Sequence, residues 1–187
     1  MIEQMRAGAF EVADPRPGSF LEYRRFIGLV ASERGLRLLL LPEASAAEAL
    51  REIQRHYPES RLAPEDSLLV EAAAQVRAYL DGEPKAFAVP LDLRGHSAFE
   101  LAVWAAAQGI PYGETRSYRW VSGRAGGGRG GTQAAGAALG ANPLPLIIPC
   151  HRVIGSDGAL HGYAGGLDMK AWLLALERGQ HSLGLNS

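Results

Sequence analysis

Cysteine is almost absent from this sequence: among 187 residues, Cys150 stands alone. A single thiol excludes an internal disulfide and any zinc site built on several cysteines. Lysine is nearly as scarce, with only Lys85 and Lys170, so arginine carries most of the positive charge. Long apolar runs are missing too. The most apolar stretch, residues 36–42, is interrupted by Arg37 and falls far short of the roughly 20 residues a membrane-spanning helix needs. The N-terminal segment, with Glu3, Arg6, Glu11 and Asp14, lacks the apolar centre of a signal peptide, so an intracellular, cytoplasmic protein is expected. What is present is ordinary for a globular chain. An apolar share of 47% with 21% charged residues argues against a disordered or fibrous protein, and the length suits one domain or two small ones.

The formal net charge of −1 conceals an asymmetry. Residues 1–100 carry 12 basic against 16 acidic side chains, and residues 101–187 carry 7 against 4. Between Glu114 and Arg152 lie five arginines (Arg116, Arg119, Arg124, Arg129 and Arg152) and one acid, an excess that a phosphate backbone would select.

Periodicity suggests a mixed N-terminal region. Residues 1–20 look irregular, punctuated by Pro15 and Pro17. Residues 25–31 and 37–41 are short apolar runs around a turn at 32–35, which reads as a β-hairpin. Ser45 can cap a helix to about Tyr57, and Asp66 can open a second that Gly82 stops. Phe87-Ala88-Val89 is a strand candidate ended by Pro90, and residues 91–96 look like a linker, so domains of 1–92 and 93–187 are expected. Beyond the linker the pattern is helical. Ser97 can cap 98–108, Ser117 can cap a short helix, and 132–141 is a small-residue helix after the glycine-rich turn 123–131. Two short helices joined by a turn in the arginine-rich half resemble a helix-turn-helix. Trp104, Trp120 and Trp172 are expected in the core, and His161 on the surface.

The chemistry centres on Pro149-Cys150-His151-Arg152-Val153, which follows the apolar Leu146-Ile147-Ile148. A thiol with a pKa of about 8.5 is only a few per cent ionised at neutral pH, and an imidazole can raise that fraction. Neighbours in sequence often diverge in space, so the dipeptide alone leaves a structural thiol as the alternative.

The wider pattern is more specific. Ile110-Pro-Tyr-Gly-Glu-Thr-Arg-Ser-Tyr118, Gly136 to Pro143, Ile148 to Val153, Gly162-Tyr-Ala-Gly-Gly-Leu167 and Lys170 to Glu177 together closely resemble the methylated-DNA–protein-cysteine methyltransferases, the suicide O6-alkylguanine-DNA alkyltransferases. The likeness runs from about residue 25 to 178. It implies an α/β fold: an N-terminal ribonuclease H-like three-stranded sheet with helices, then a C-terminal helical, winged-helix-like DNA-binding and catalytic domain. The implied activity is single-turnover transfer of an alkyl group from O6-alkylguanine in double-stranded DNA to Cys150, with O4-alkylthymine a second candidate, by a monomer without cofactor or metal.

The same resemblance assigns roles. Glu177 orients His151, which takes the thiol proton through water and leaves Cys150 as thiolate; Tyr118 protonates the leaving purine; Asn142 ties the recognition helix to the active-site turn. The Ala164 N–H and the carbonyls of Cys150 and Val153 would hold the base, with Tyr163 beside them. DNA contacts fall to Ser117, Arg124, Arg129, Thr132 and Gln133. Several positions depart from the family pattern, among them Gly140, where relatives can have a basic residue, and Ala164, where serine is common. Gln133 stands where an arginine fills the gap left by the flipped base, and Glu100 where glutamine is usual, so duplex binding is expected to be weaker, with Arg129 a candidate to compensate. Some relatives carry zinc in the N-terminal domain, but the cysteines it requires are missing here. The alternatives are a lesion-binding protein without chemistry, which retention of Cys150 opposes, and a reactive thiol used on a non-duplex or small-molecule substrate.

Overall fold

The protein is described by a computed structural model over residues 4–12, 21, 25–83 and 86–180. Pro15 and Pro17 lie outside these residues. The chain divides after Asp92 into two compact units.

The N-terminal unit is built on a sheet whose long strands are β1 (Arg6–Glu11), β2 (Phe26–Ser32) and β3 (Gly35–Glu43). The two-residue β4 (Arg61–Leu62) extends it, giving the order β3-β2-β1-β4, antiparallel except for the β1/β4 pair. The expected hairpin is β2–β3. β1 corrects the sequence expectation of an irregular N-terminus. Its Arg-Ala-Gly-Ala-Phe-Glu sequence has little intrinsic strand preference, and pairing with β2 on one side and β4 on the other creates it.

Helix α1 (Ala46–His56) starts where Ser45 Oγ accepts the Glu48 N–H at 3.2 Å, and it buries Ala49 and Ile53. Ile53 joins Ala7, Val30 and Leu38 in a core cluster. Helix α2 (Ser67–Leu80) is capped by Asp66, whose Oδ1 accepts from Leu68 and Leu69, and its Leu69, Ala72, Val76 and Leu80 are buried.

Phe87–Val89 is not a strand. The Ala88 N–H donates to the Gln75 side chain at 2.8 Å, so this segment is held along α2 rather than in the sheet. The stretch read as a linker also begins with structure: Leu91 bridges Leu36, and Asp92, 4% exposed, accepts from Ser32 Oγ at 2.7 Å and Arg37 at 2.9 Å.

The C-terminal unit starts at a capping box. Ser97 Oγ accepts the Glu100 N–H while the Glu100 carboxylate accepts the Ser97 N–H at 2.8 Å, opening α3 (Ala98–Gln108). Glu100 therefore has a local structural role. Helices α4 (Tyr118–Arg124) and α5 (Gly131–Gly140) form the helix-turn-helix, and fully buried Trp104 ties α3 to α5 through Nε1–H to the Ala138 carbonyl at 2.8 Å. A 3-10 turn (Cys150–Arg152), the short parallel pair β5 (Arg116–Ser117) and β6 (Val153–Ile154), and α6 (Gly166–Glu177) complete it. The glycine-rich turn is more than a flexible joint. Gly127 and Gly131 pack on buried Ser122, and a Cβ on Gly131 would stand 2.5 Å from Ser122 Oγ. No helix among the described residues is long and apolar enough to cross a membrane.

Candidate active site

Cys150 is delivered by a tight approach. Leu146, buried, adopts φ 73°, a left-handed conformation uncommon for a branched side chain, and Pro145 and Ile148 form a bridge just ahead of the thiol. Asn142, at the end of α5, clamps this turn: its Nδ2 donates to the Ile148 carbonyl at 2.8 Å and to Cys150 Sγ at 3.3 Å, and its Oδ1 accepts the Leu144 N–H at 2.9 Å.

Next in the chain, His151 is fully buried and its Nε2 lies 2.8 Å from Glu177 Oε1. Glu177, at the end of α6, is held in turn by Arg152. Arg152 Nε donates to both carboxylate oxygens at 3.0 Å, Nη2 to Oε1 at 2.9 Å and Nη1 to the Ile110 carbonyl at 2.7 Å. The Gly113 N–H adds a bond to Oε2 at 2.9 Å. Arg152, counted by sequence with the phosphate-facing arginines, is thus an internal strut, its side chain 11% exposed.

Electrostatics favour the protonated thiol before substrate enters. Burial pushes the Cys150 thiol above its ordinary value, against the smaller opposing effects of the Asn142 hydrogen bond and the Lys170 charge. Burial also lowers His151, against the pull of Glu177, so the resting pair is thiol and neutral imidazole.

Lys170 is the residue sequence reasoning passed over. It is fully buried, and its Nζ donates to the His161 carbonyl at 2.8 Å and to Tyr118 Oη at 3.3 Å. Burial lowers its pKa to about 8, partly offset by Cys150. Only its being one of two lysines, inside the α6 stripe, could have drawn notice. Tyr118 is raised by burial and then by Cys150. Tyr163 is raised well above 10 by burial, and its hydroxyl is buried with no hydrogen-bond partner among the described residues.

A cavity of about 890 Å³ opens beside the thiol. It brings together Cys150, Asn142, Tyr118, Tyr163 and Ala164 with Thr132 and Gln133 of α5. It does not bring in the others. Val153 is buried in β6, Ser117 caps α4 by accepting the Trp120 N–H, and Arg129 is exposed in the turn. Arg124 lies 4.9 Å over the Trp120 ring and Arg116 5.7 Å from it, so Trp120 is a half-buried surface ring rather than core. Trp172 is also only half-buried, and His161, though exposed, lines the cavity. Among the described residues no group of three or more His, Cys, Asp or Glu could hold a metal ion.

A helix-turn-helix unit beside a buried cysteine, with the imidazole of an imidazole–carboxylate pair in the same turn and a cavity at the thiol, defines the class. The chain belongs to the 6-O-methylguanine DNA methyltransferase family: residues 27–93 match its ribonuclease-like domain and residues 98–179 its DNA binding domain. It is 43% identical over 145 residues to the methylated-DNA–protein-cysteine methyltransferase of Mycobacterium leprae, covering 76% of this chain and 87% of that protein. The protein of the same name from Mycolicibacterium paratuberculosis is 48% identical over 135 residues, 71% of this chain and 80% of its own. The crystal structure of Mycobacterium tuberculosis OGT in complex with DNA superposes with a TM-score of 0.71 at 34% identity, covering 95% of this chain and 94% of that one.

Proposed function

We propose that this protein repairs DNA by transferring the alkyl group of O6-alkylguanine in a duplex to Cys150 Sγ, once per molecule. The single observation that carries the reading is that Cys150, clamped by Asn142, lines a cavity and is followed in the same 3-10 turn by His151, whose ring is paired with Glu177.

The target base leaves the stack, at a cost of a few kcal/mol, and enters the cavity beside α5. Closing over the site removes water, which strengthens every charge interaction inside. The Cys150 proton passes through water to His151, and the imidazolium is balanced by the Glu177 carboxylate 2.8 Å away. Arg152 and the Gly113 N–H keep that carboxylate oriented, so it serves as counter-ion. Sγ attacks the alkyl carbon; the S–C bond forms as the C–O6 bond breaks, and the electron pair stays on the purine. Tyr118 delivers a proton to the purine and so avoids an expelled anion. The Lys170 ammonium donates to the same phenol oxygen and favours that transfer. The Ala164 N–H, the Cys150 carbonyl and Tyr163 hold the base. The thioether product is stable, so the molecule is consumed.

The test is incubation with a duplex carrying one O6-methylguanine, followed by peptide mapping. A methyl group on Cys150 and its absence in Cys150→Ser are expected; an unmodified protein with the lesion intact would refute the reading.

A further inference from the structure

One buried polar group has no task in the steps above: the hydroxyl of Tyr163. Tyr163 sits in the loop between β6 and α6 and lines the cavity together with Cys150. Its oxygen is buried, and among the described residues nothing hydrogen-bonds to it. An aromatic face is enough to pack against a base, so holding the purine does not explain the oxygen. A buried O–H left without a partner destabilises the fold, and phenylalanine would avoid that cost.

The neighbours of Tyr163 are the members of the proton relay. Its ring stands nearly edge-on to the His151 ring, with centroids 6.4 Å apart and planes at 80°. The phenol also interacts electrostatically with Cys150 and Glu177, the two ends of the relay. Burial, and then those two groups, oppose its ionisation, so Tyr163 remains a neutral donor at neutral pH. The other groups around the thiol are already engaged. Asn142 donates to Sγ at 3.3 Å, and Lys170 on α6 donates to the His161 carbonyl at 2.8 Å and to Tyr118 Oη at 3.3 Å. Tyr118 on α4 in turn donates to the His161 carbonyl at 3.4 Å. Of the two cavity tyrosines, Tyr163 is the one whose proton no described residue accepts.

We propose that the Tyr163 hydroxyl is a positioning group of the relay: it donates to the water that carries the Cys150 proton to His151. The proposal rests on the alkyl-transfer reading. His151 turns Nε2 to Glu177 at 2.8 Å, which leaves Nδ1 to receive the proton. A water between Sγ and Nδ1 accepts from the thiol and donates to the imidazole. A third bond, from Tyr163, fixes that water in line and stabilises the negative charge it gains while its own proton moves. The proton leaves Sγ as one of the water's protons passes to Nδ1, and sulfur keeps the electron pair that later forms the S–C bond. Burial makes the Cys150 thiol reluctant to ionise, and a donor placed on the relay water offsets part of that cost.

The experiment reads Cys150 ionisation without DNA as well as transfer with it. Tyr163→Phe keeps the ring beside His151 and removes only the oxygen. Both proteins are titrated with iodoacetamide against pH, and their single-turnover rates on an O6-methylguanine duplex are measured at neutral pH. Duplex affinity is compared between Cys150→Ser and Cys150→Ser/Tyr163→Phe. In the variant the iodoacetamide curve should move up by about one pH unit and the transfer rate should fall by about tenfold, the worth of one hydrogen bond to a charged group. Duplex affinity should be unchanged, and the melting temperature should not fall, because no described residue binds the deleted oxygen. An unmoved iodoacetamide curve, an unchanged transfer rate, or a loss of rate matched by a loss of duplex affinity would overturn the relay role. Absence of methyl transfer by the wild type would instead remove the reading beneath it.

Discussion

His151 Nε2 and Glu177 Oε1 face each other at 2.8 Å with both side chains fully buried, and Arg152 occupies the same carboxylate from the other side. Glu177 thus balances two partners at once. Glu177→Gln leaves the imidazolium without a counter-ion and Arg152 without its charge partner. The single-turnover rate is expected to fall by on the order of a hundredfold, with a lowered melting temperature because a buried pair has lost one member. An unchanged rate would show that His151 works without the carboxylate.

Lys170 gives the reaction an alkaline limit. Its ammonium, with a pKa of about 8, faces Tyr118 on α4 and the Cys150 thiol and His151 on the 3-10 turn, and it loses its proton within the working range. The transfer rate should decline as pH rises through about 8, although hydroxide favours the thiolate. Lys170→Met should be slower by about tenfold at neutral pH and lack that decline. Stability moves the opposite way. The unfolded chain holds this proton up to about 10.4 while the folded one releases it near 8, so between those values the unfolded state binds more protons and folding stability rises with pH. A rate that climbs steadily past pH 9 would remove Lys170 from the mechanism.

The turn between α4 and α5 makes a prediction about packing. Gly127 is hemmed in by the Ser122 carbonyl at 2.9 Å and the Gly131 Cα at 3.2 Å as well as by Ser122 Oγ, whereas Gly131 meets only the Ser122 side chain. Gly127→Ala should cost about 1–3 kcal/mol in chemical denaturation, as overpacking does. Gly131→Ala should cost less and be rescued by Ser122→Ala, while Gly127→Ala should not. Equal rescue of both would mean that the backbone contacts do not matter.

The sequence was most legible where chemistry is local. Ser45, Asp66, Ser97 and Ser117 each cap the helix they were expected to cap, because a cap needs only a side-chain oxygen and the next three residues. β1 was hidden because Ala7, Gly8 and Ala9 become a strand only through partners elsewhere in the chain. Phe87–Val89 misled because its β-favouring residues run beside α2. In the site, the contiguous motif marked Cys150 and His151 and the resemblance added Asn142 and Glu177. Arg152 and Lys170 acquire their places through bonds to residues 25 and 52 positions away, which no spacing rule announces. His161 enters through its backbone carbonyl, to which residue identity is blind.

Helix α5 lines the cavity with Thr132 and Gln133 and carries no charged side chain from Gly131 to Gly140. Gln133→Arg is therefore expected to tighten duplex binding severalfold at low salt and to steepen the salt dependence by about one unit of log K against log [salt], one added phosphate contact. Titrations of wild type and variant at matched salt decide it; identical curves would mean that Gln133 does not face the duplex.

The most direct measurement is stoichiometry. Limiting protein is mixed with excess O6-methylguanine duplex, and restored guanine is counted while Cys150 is followed by mass. The account predicts a plateau at one guanine per protein molecule with Cys150 fully methylated. Product that keeps accumulating beyond that point, or a methyl group found on any other residue, would contradict it.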